Sequence, residues 1–294
     1  MSELELLKQR KEKLFSFLKK YREEFGFLGL LLLMIASYKI RTNNLPLLKD
    51  ITNGQYIPGD PDAAEFFRYA KYILENGSLM KIDLMRYYPL GYSNLDEFSF
   101  LSHFIVYLYK FLAFFNSSIT LNYVDVVFPA ITFAIALIPF YFLVKKLFDA
   151  KTALLASAFL AFMPPFLYRT ISGVGDKEAL GIIFFFSAFY FFVLSLKSEH
   201  RYSYLYGFPA GLSTALLGMT WGGVNFIFLI IAGTTIIKIL VDNFSKKEFY
   251  AYAIWWAVTF LLLNRFYNYY YGFGQILIAL TTEIALIALI TGFI

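Results

Sequence analysis

Cysteine is absent from this 294-residue chain, and histidine occurs only twice. Without thiols the chain can form no disulfide, no thiolate metal site and no cysteine nucleophile. Two histidines are too few for an imidazole-rich metal centre. Any metal that the chain binds must therefore be held mainly by carboxylate oxygens.

Charged residues are also scarce. They make up 16% of the chain and hydrophobic residues 59%, against about 25% and roughly 45–50% in soluble domains. The apolar residues form long runs with almost no charge, long enough to cross a hydrocarbon core of about 30 Å. We therefore predict an all-α polytopic membrane protein and exclude a soluble enzyme. The predicted spans are Phe25–Ile40, Val124–Val144, Thr152–Tyr168, Leu180–Leu196, Tyr204–Thr220, Val224–Leu240, Tyr250–Leu263 and Phe273–Ile294.

The basic residues predict how the chain is oriented in the lipid bilayer. Residues 1–23 form a basic arm that we expect to be amphipathic and cytoplasmic, because positive charge concentrates on the cytoplasmic side. Residues 24–294 would then be the transmembrane domain, with its basic loops inside. The net charge of +5 thus reports membrane topology, and nucleic acid is not expected as a partner.

This topology leaves residues 41–123 as one long external loop. Loops of that length are usually functional or disordered, and the apolar content of this one favours order. Its most apolar stretch, Phe98–Phe115, includes Ser102, His103 and Lys110. We therefore interpret it as an amphipathic helix that lies flat at the outer interface rather than as a further span.

The first acidic motif lies in this loop, around Asp62. It precedes an amphipathic stretch, Tyr69–Gly77, that should end at Asn76-Gly77. One interpretation of Asp62 is a helix N-cap, because free backbone amides and the helix dipole favour a carboxylate there. The other is a functional carboxylate on the external face.

The second acidic motif lies in the short external loop 169–179. Gly173 and Gly175 allow a tight turn before Asp176 and Glu178. Two carboxylates on one side of a turn suit Mg²⁺ or Mn²⁺. Alternatively, these acids cap a helix that begins near Ala179.

Taken together, the two motifs predict a metal site. Asp62, Asp176 and Glu178 are all expected on the external face, where three unpaired carboxylates would repel one another. A divalent cation would relieve that repulsion, and it would act best where a phosphate departs.

Four segments in order resemble the catalytic subunit of oligosaccharyltransferase in its archaeal and bacterial single-subunit forms. They are Asp62 with Arg68 six residues later, Tyr87–Gly91, Arg169–Gly173 leading into Asp176-Lys177-Glu178, and Thr220–Gly223. The resemblance implies a GT-C glycosyltransferase-like bundle of about eight transmembrane helices. It also implies transfer of a glycan from a dolichyl phosphate or diphosphate carrier to Asn in an Asn-x-Ser/Thr sequon.

The same resemblance assigns roles to residues. Asp62, Asp176 and Glu178 would be catalytic, would bind Mn²⁺ or Mg²⁺ and would orient the acceptor amide. Arg169 would bind substrate beside them, although an arginine there could equally extend its charge to the interface. The expected partners are a lipid-linked oligosaccharide and an acceptor polypeptide.

The family's soluble domain with its Trp-Trp-Asp-Tyr-Gly motif is absent from this sequence. We therefore expect a fragment or a split enzyme whose separate C-terminal half reads the sequon.

Two other functions stay open. Another polyprenyl-phosphate-sugar enzyme, such as a protein O-mannosyltransferase, would also present external acids. A transporter or non-catalytic scaffold would place ionisable residues at mid-membrane, and the predicted spans contain few.

Overall fold

The computed structural model describes residues 10–11, 22–94 and 99–293. Helices dominate these residues. They are α1 (Arg22–Arg41), α2 (Pro61–Asn76), α3 (Phe100–Phe115), α4 (Leu121–Leu147), α5 (Ala150–Phe162), α6 (Pro164–Thr170), α7 (Lys177–Lys197), α8 (Gly207–Thr220), α9 (Val224–Leu240), α10 (Lys246–Phe266), α11 (Asn268–Tyr271), α12 (Phe273–Ile276) and α13 (Leu280–Phe293). Two 3₁₀ turns (Leu45–Leu48 and Ser203–Tyr206) and an antiparallel pair, β1 (Ile82–Asp83) with β2 (Tyr92–Ser93), complete the set.

Two of the described helices, α4 and α7, are long and apolar enough to cross a membrane by length and composition. The number rises to four if two bent pairs, α5 with α6 and α11–α12 with α13, each make one span. The other predicted spans coincide with α1, α8, α9 and α10. Of these, α8 and α9 have only 14 and 17 residues, while α1 and α10 carry charged residues.

Two predicted spans are broken rather than continuous. The span predicted over Thr152–Tyr168 divides at Met163 into α5 and α6, which meet at 58°. Pro164 and Pro165 follow the break, and their missing amide donors and fixed rings prevent a straight helix. The predicted span Phe273–Ile294 is likewise divided, and α13 lies at 49° to the preceding segment.

The described helices pack through three clusters of buried apolar side chains. Helices α8 and α10 approach each other closely, and a Cβ added at Gly211 would lie only 2.7 Å from the Trp255 carbonyl oxygen. Trp255 is fully buried, and its indole N–H donates to Thr214 Oγ1 at 2.9 Å. A small residue at the contact and a satisfied indole thus hold α8 and α10 together.

The long loop that the sequence predicted contains ordered helices. Helix α2 ends at Asn76, where Gly77 adopts a left-handed conformation with φ of 82°, as the Asn-Gly ending predicts. It begins at Pro61, earlier than the predicted amphipathic stretch. Helix α3 covers most of the predicted Phe98–Phe115 helix and packs on α2 and α4. Its flat position at the interface stays a prediction, and most of the predicted arm 1–23 lies outside the described residues.

Candidate functional site

The two acidic segments lie side by side. Gly59 N–H donates to the Gly173 carbonyl oxygen at 2.8 Å, and Gly173 N–H donates to the Val126 carbonyl oxygen at 2.8 Å. Gly173 has a φ of 88°, a backbone conformation that favours glycine. Gly173 in the second loop is therefore bonded both to the first acidic segment and to the N-terminal part of α4.

The two acidic segments also lie close together next to Asp62 and Asp176. A Cβ added at Gly175 would lie 2.9 Å from the Phe128 ring and 3.6 Å from Ala63 Cβ. Gly175 adjoins Asp176 and Ala63 adjoins Asp62. The segments that carry these aspartates therefore lie close together, and Phe128 leaves no room for a side chain at position 175.

Asp62 lies in the first turn of α2 and is exposed. The N-cap is Asp60, whose carboxylate accepts a hydrogen bond from Ala63 N–H at 2.8 Å. The interpretation of Asp62 as the cap is therefore wrong, because Pro61 starts the helix one residue earlier. Within the described residues, the Asp62 side chain makes no hydrogen bond or ion pair.

Asp176 and Glu178 occupy the start of α7. Asp176 is the N-cap and accepts a hydrogen bond from Lys177 N–H at 2.7 Å. Helix α7 thus begins at Lys177, earlier than the predicted start near Ala179. Glu178 lies in the first helical turn, where the helix dipole stabilises a carboxylate. The capping interpretation of Asp176 is correct, and the cap uses its Oδ1.

Arg169 lies beside Asp176 and Glu178. Its guanidinium Nη1 lies 3.7 Å from Asp176 Oδ2, and Glu178 interacts electrostatically with both Asp176 and Arg169. Glu178 Oε2 is buried and has no hydrogen-bond partner. The arrangement therefore combines two carboxylates, one guanidinium and one carboxylate oxygen that is available for a ligand.

An apolar cavity of about 450 Å³ opens beside Arg169 and Glu178. Its other lining residues are almost entirely apolar, namely Pro165, Phe166, Thr170, Ile182, Phe185, Phe186, Trp221 and Phe226. Trp221 belongs to the Thr220–Gly223 segment that the sequence analysis singled out. Charged groups at one wall of an apolar cavity suit a ligand with an anionic head and a hydrocarbon chain.

The structure places the predicted metal ligands on adjacent segments, but it does not gather them into a closed site. Within residues 10–11, 22–94 and 99–293, no three His, Cys, Asp or Glu side chains are arranged to hold a metal ion. The exposed oxygens of Asp62 and the unpartnered Glu178 Oε2 nevertheless have the chemistry of Mg²⁺ or Mn²⁺ ligands.

A second charged network was missed by the sequence analysis. The Arg68 guanidinium makes a two-pronged pair with the Asp83 carboxylate, with one nitrogen at 2.9 Å from Oδ1. Tyr69 also donates to Asp83 at 3.1 Å, and Arg86 reaches Glu65 at 2.7 Å. This network fixes α2 to β1 and so sets the orientation of the helix turn that carries Asp62. Arg68, six residues after Asp62, was the one visible signal of it.

Comparison with known proteins places these features in context. Residues 51–294 match the profile of the family "Oligosaccharyl transferase STT3, N-terminal". The chain is 30% identical over 118 residues to the Saccharomyces cerevisiae dolichyl-diphosphooligosaccharide–protein glycosyltransferase subunit STT3, a match covering 40% of this chain and 16% of that protein. The chain thus spans well under a third of the length of this curated relative.

Two solved structures have the same fold. The Archaeoglobus fulgidus oligosaccharyltransferase in complex with Zn and sulfate superposes with a TM-score of 0.72 at 23% identity, over 90% of this chain and 35% of that one. The archaeal oligosaccharyltransferase AglB from the same organism, in complex with an inhibitory peptide and a dolichol-phosphate, gives 0.70 at 20% identity, over 93% and 33%. These likenesses confirm the predicted GT-C-like membrane fold.

Proposed function

Because the chain belongs to the oligosaccharyl transferase STT3 family, we propose that it is the membrane part of an enzyme that transfers a glycan from a dolichyl phosphate or diphosphate carrier to asparagine in an Asn-x-Ser/Thr sequon. The observation that carries this proposal is the junction at Gly173. This junction brings the Asp62 segment next to the segment that carries Asp176 and Glu178, beside the apolar cavity.

The acidic side chains would act on the acceptor. An amide nitrogen is a poor nucleophile because its lone pair is conjugated with the carbonyl. Carboxylates of Asp62 and Glu178 would accept hydrogen bonds from the amide N–H groups, weaken that conjugation and aim the nitrogen at the anomeric carbon. Asp176 would hold the Arg169 side chain in place beside them.

The donor would lie on the other side of the same carboxylates. Arg169 would bind the carrier phosphate through its guanidinium, which matches the geometry of phosphate oxygens. The apolar cavity would take the adjoining isoprenoid units. A solved relative in complex with a dolichol-phosphate supports this class of ligand.

We propose that Asp62, Asp176 and Glu178 hold Mn²⁺ or Mg²⁺. Their oxygen donors fit such an ion, and a solved structure of the same fold contains Zn. When bound, the ion would neutralise charge that develops on the departing phosphate. The site would face the non-cytoplasmic side, and a separate segment or chain would recognise the sequon hydroxyl.

The test is glycan transfer from a lipid-linked oligosaccharide to a sequon peptide by the complete protein in membranes. We expect Asp62→Asn and Glu178→Gln each to lower transfer by at least a hundredfold without lowering expression, and chelation to stop it until Mn²⁺ is restored. The control is Asp50→Asn, at a half-buried aspartate of the same loop that lies outside the proposed site. Undiminished transfer by both site variants would refute the proposal, and transfer to serine or threonine would favour an O-glycosyltransferase.

A further inference from the structure

Several buried oxygen atoms near the Gly173 junction have no hydrogen-bond partner. Both carboxylate oxygens of Asp125 are in this state, as are Asn44 Oδ1 and Ser172 Oγ. Asp125 and Ser172 are each only 1% exposed. A buried carboxylate without a partner is costly, so this group of oxygens requires an explanation.

The three segments that carry these atoms meet at one place. Asn44 Nδ2 donates to the Ser172 carbonyl oxygen at 2.8 Å. The next residue, Gly173, is bonded to Val126, the neighbour of Asp125, and to Gly59, the neighbour of Asp60. Asp60 and Asp125 thus adjoin the two residues that Gly173 bonds, and Asp60 acts electrostatically on Asp125.

The two aspartates at this junction have no basic partner in the described residues. In the described part of the chain, no basic side chain forms an ion pair with Asp60 or Asp125, and the basic residue of the second loop, Arg169, is paired with Asp176 instead. The unpartnered oxygens of Asp125, Asn44 and Ser172 are acceptors, and the Ser172 hydroxyl can also donate. The nearby Arg41 also has an unpartnered nitrogen, Nη2, but its guanidinium donates to Thr170 and Ala161. A set of acceptors with two carboxylates calls for a cation rather than an anion.

We propose that a divalent cation of the calcium type binds between Asp60 and Asp125, at the junction of the first external loop with α4. Calcium accepts carboxylate, amide and backbone oxygens in irregular arrangements, whereas Mg²⁺ demands a near-octahedral set and retains several waters. Asp125 is too deeply buried to leave room for many waters, and this favours calcium.

Such an ion would have a structural role distinct from the metal proposed for transfer. It would neutralise the buried Asp125 and tie the segment before Asp62 to the end of a membrane helix. The inference does not depend on the transfer reaction, because Asp60 and Asp125 are not among the residues assigned to it.

The experiment uses the full chain in detergent with Asp62→Asn and Glu178→Gln already present, so that the proposed transfer site no longer binds metal. Thermal unfolding is followed in EDTA and at increasing Ca²⁺. We expect the midpoint to rise by about 5 °C at saturating Ca²⁺. Adding Asp125→Asn should abolish this rise and, in EDTA, should leave the midpoint equal or higher, because the amide carries no uncompensated charge.

A second measurement uses Tb³⁺ in place of Ca²⁺. Tyr56 and Tyr123, whose ring centroids are 5.4 Å apart, adjoin the junction, since Asn122 bonds the Tyr56 carbonyl at 3.0 Å. Tyrosine-sensitised Tb³⁺ emission should be present in the parent chain and lost in Asp60→Asn, a change that preserves the helix cap. Asp50→Asn should leave it unchanged.

The outcomes separate the alternatives. If Asp125 is simply protonated or solvated by a buried water, the parent chain will show no Ca²⁺-dependent rise and no sensitised emission, and the proposal is overturned. A rise that survives both Asp125→Asn and Asp60→Asn places the ion elsewhere and overturns it equally. If Asp125→Asn does not fold, Asp60→Asn decides the question, since Asp60 is only partly buried.

Discussion

The guanidinium of Arg41 donates a hydrogen bond of 2.7 Å to Thr170 Oγ1, so the end of α1 holds the end of α6. Arg41 is completely buried, and it also donates to the Ala161 carbonyl oxygen at 2.8 Å. Its own carbonyl oxygen accepts from Ser172 N–H at 2.8 Å. Arg41 therefore bridges the helix break and fixes the short helix from which Arg169 extends.

Arg41→Met should weaken this bridge. The acceptors at Ala161 and Thr170 would lose their charged donor, and we expect the free energy of unfolding to fall by about 2 kcal/mol. The measurement is thermal or denaturant unfolding in detergent. Arg265→Met, at an exposed arginine, is the matched control and should change stability little. Equal effects of the two substitutions would contradict the role given to Arg41.

The ion pair between Arg68 and Asp83 should make the free energy of unfolding depend on pH in the acid range. The Arg68 guanidinium beside Asp83 holds the pKa of that carboxyl below its ordinary value of 3.8. Because the folded state has the lower pKa, the stabilisation is complete above the ordinary pKa and is lost as pH falls through the folded value. We expect Asp83→Asn to cost about 2 kcal/mol at neutral pH.

The check is the unfolding free energy of the two proteins between about pH 3 and pH 7. Their difference should be constant above about pH 5 and should shrink as the pH falls below about 4. A difference that stays constant to the acid limit would mean that Asp83 contributes through packing alone.

Gly173→Ala should lower the free energy of unfolding by more than the cost of placing alanine in a left-handed conformation. A Cβ there would lie 2.8 Å from Leu48 Cδ1 and 3.3 Å from Gly59 N. Gly54 is a matched control, since it has a φ of 70° with nothing within 4 Å of an added Cβ. We expect Gly54→Ala to cost about 1 kcal/mol and Gly173→Ala about 1–2 kcal/mol more, measured by unfolding. Equal costs would show that the junction tolerates the side chain.

Phe226→Ala should weaken binding of the lipid carrier. Phe226 lines the cavity and is 58% exposed, so it can contribute apolar area to a ligand. We expect the KM for the lipid-linked donor to rise roughly fivefold to tenfold with little change in kcat, in the complete protein. Phe114→Ala, at a more exposed phenylalanine outside this cavity, should leave KM unchanged. A change in kcat alone would argue against a lipid site.

Local patterns predicted local structure well. The Asn76-Gly77 ending predicted where α2 stops, and Gly173 with Gly175 predicted the turn before Asp176. Pro164 and Pro165 indicated a disturbance in the predicted span but not its 58° angle, because that angle depends on what the two helix halves pack against.

Residues whose partners are distant in sequence could not be predicted in the same way. Arg41 lies 129 residues from Thr170 and 120 from Ala161, and nothing near it in the sequence marks it as buried. Asp125 lies in an apolar run that predicts only a span, and its neighbour Asp60 is known only once the loop is folded. The acidic motifs could be recognised from the sequence because carboxylates suit the proposed chemistry. The residues that hold these motifs in place, such as Arg41, could not be recognised in that way.

The absence of cysteine allows the most direct test of the central claim, which is that the two acidic segments share one external site. Asp62→Cys and Asp176→Cys would be introduced together and treated with a short, membrane-impermeant bis-maleimide. We predict rapid cross-linking between them, and none when Asp62→Cys is combined with Asp242→Cys. Failure of the 62–176 pair to cross-link, with both cysteines labelled singly, or labelling of the two from opposite sides of the membrane, would contradict the account.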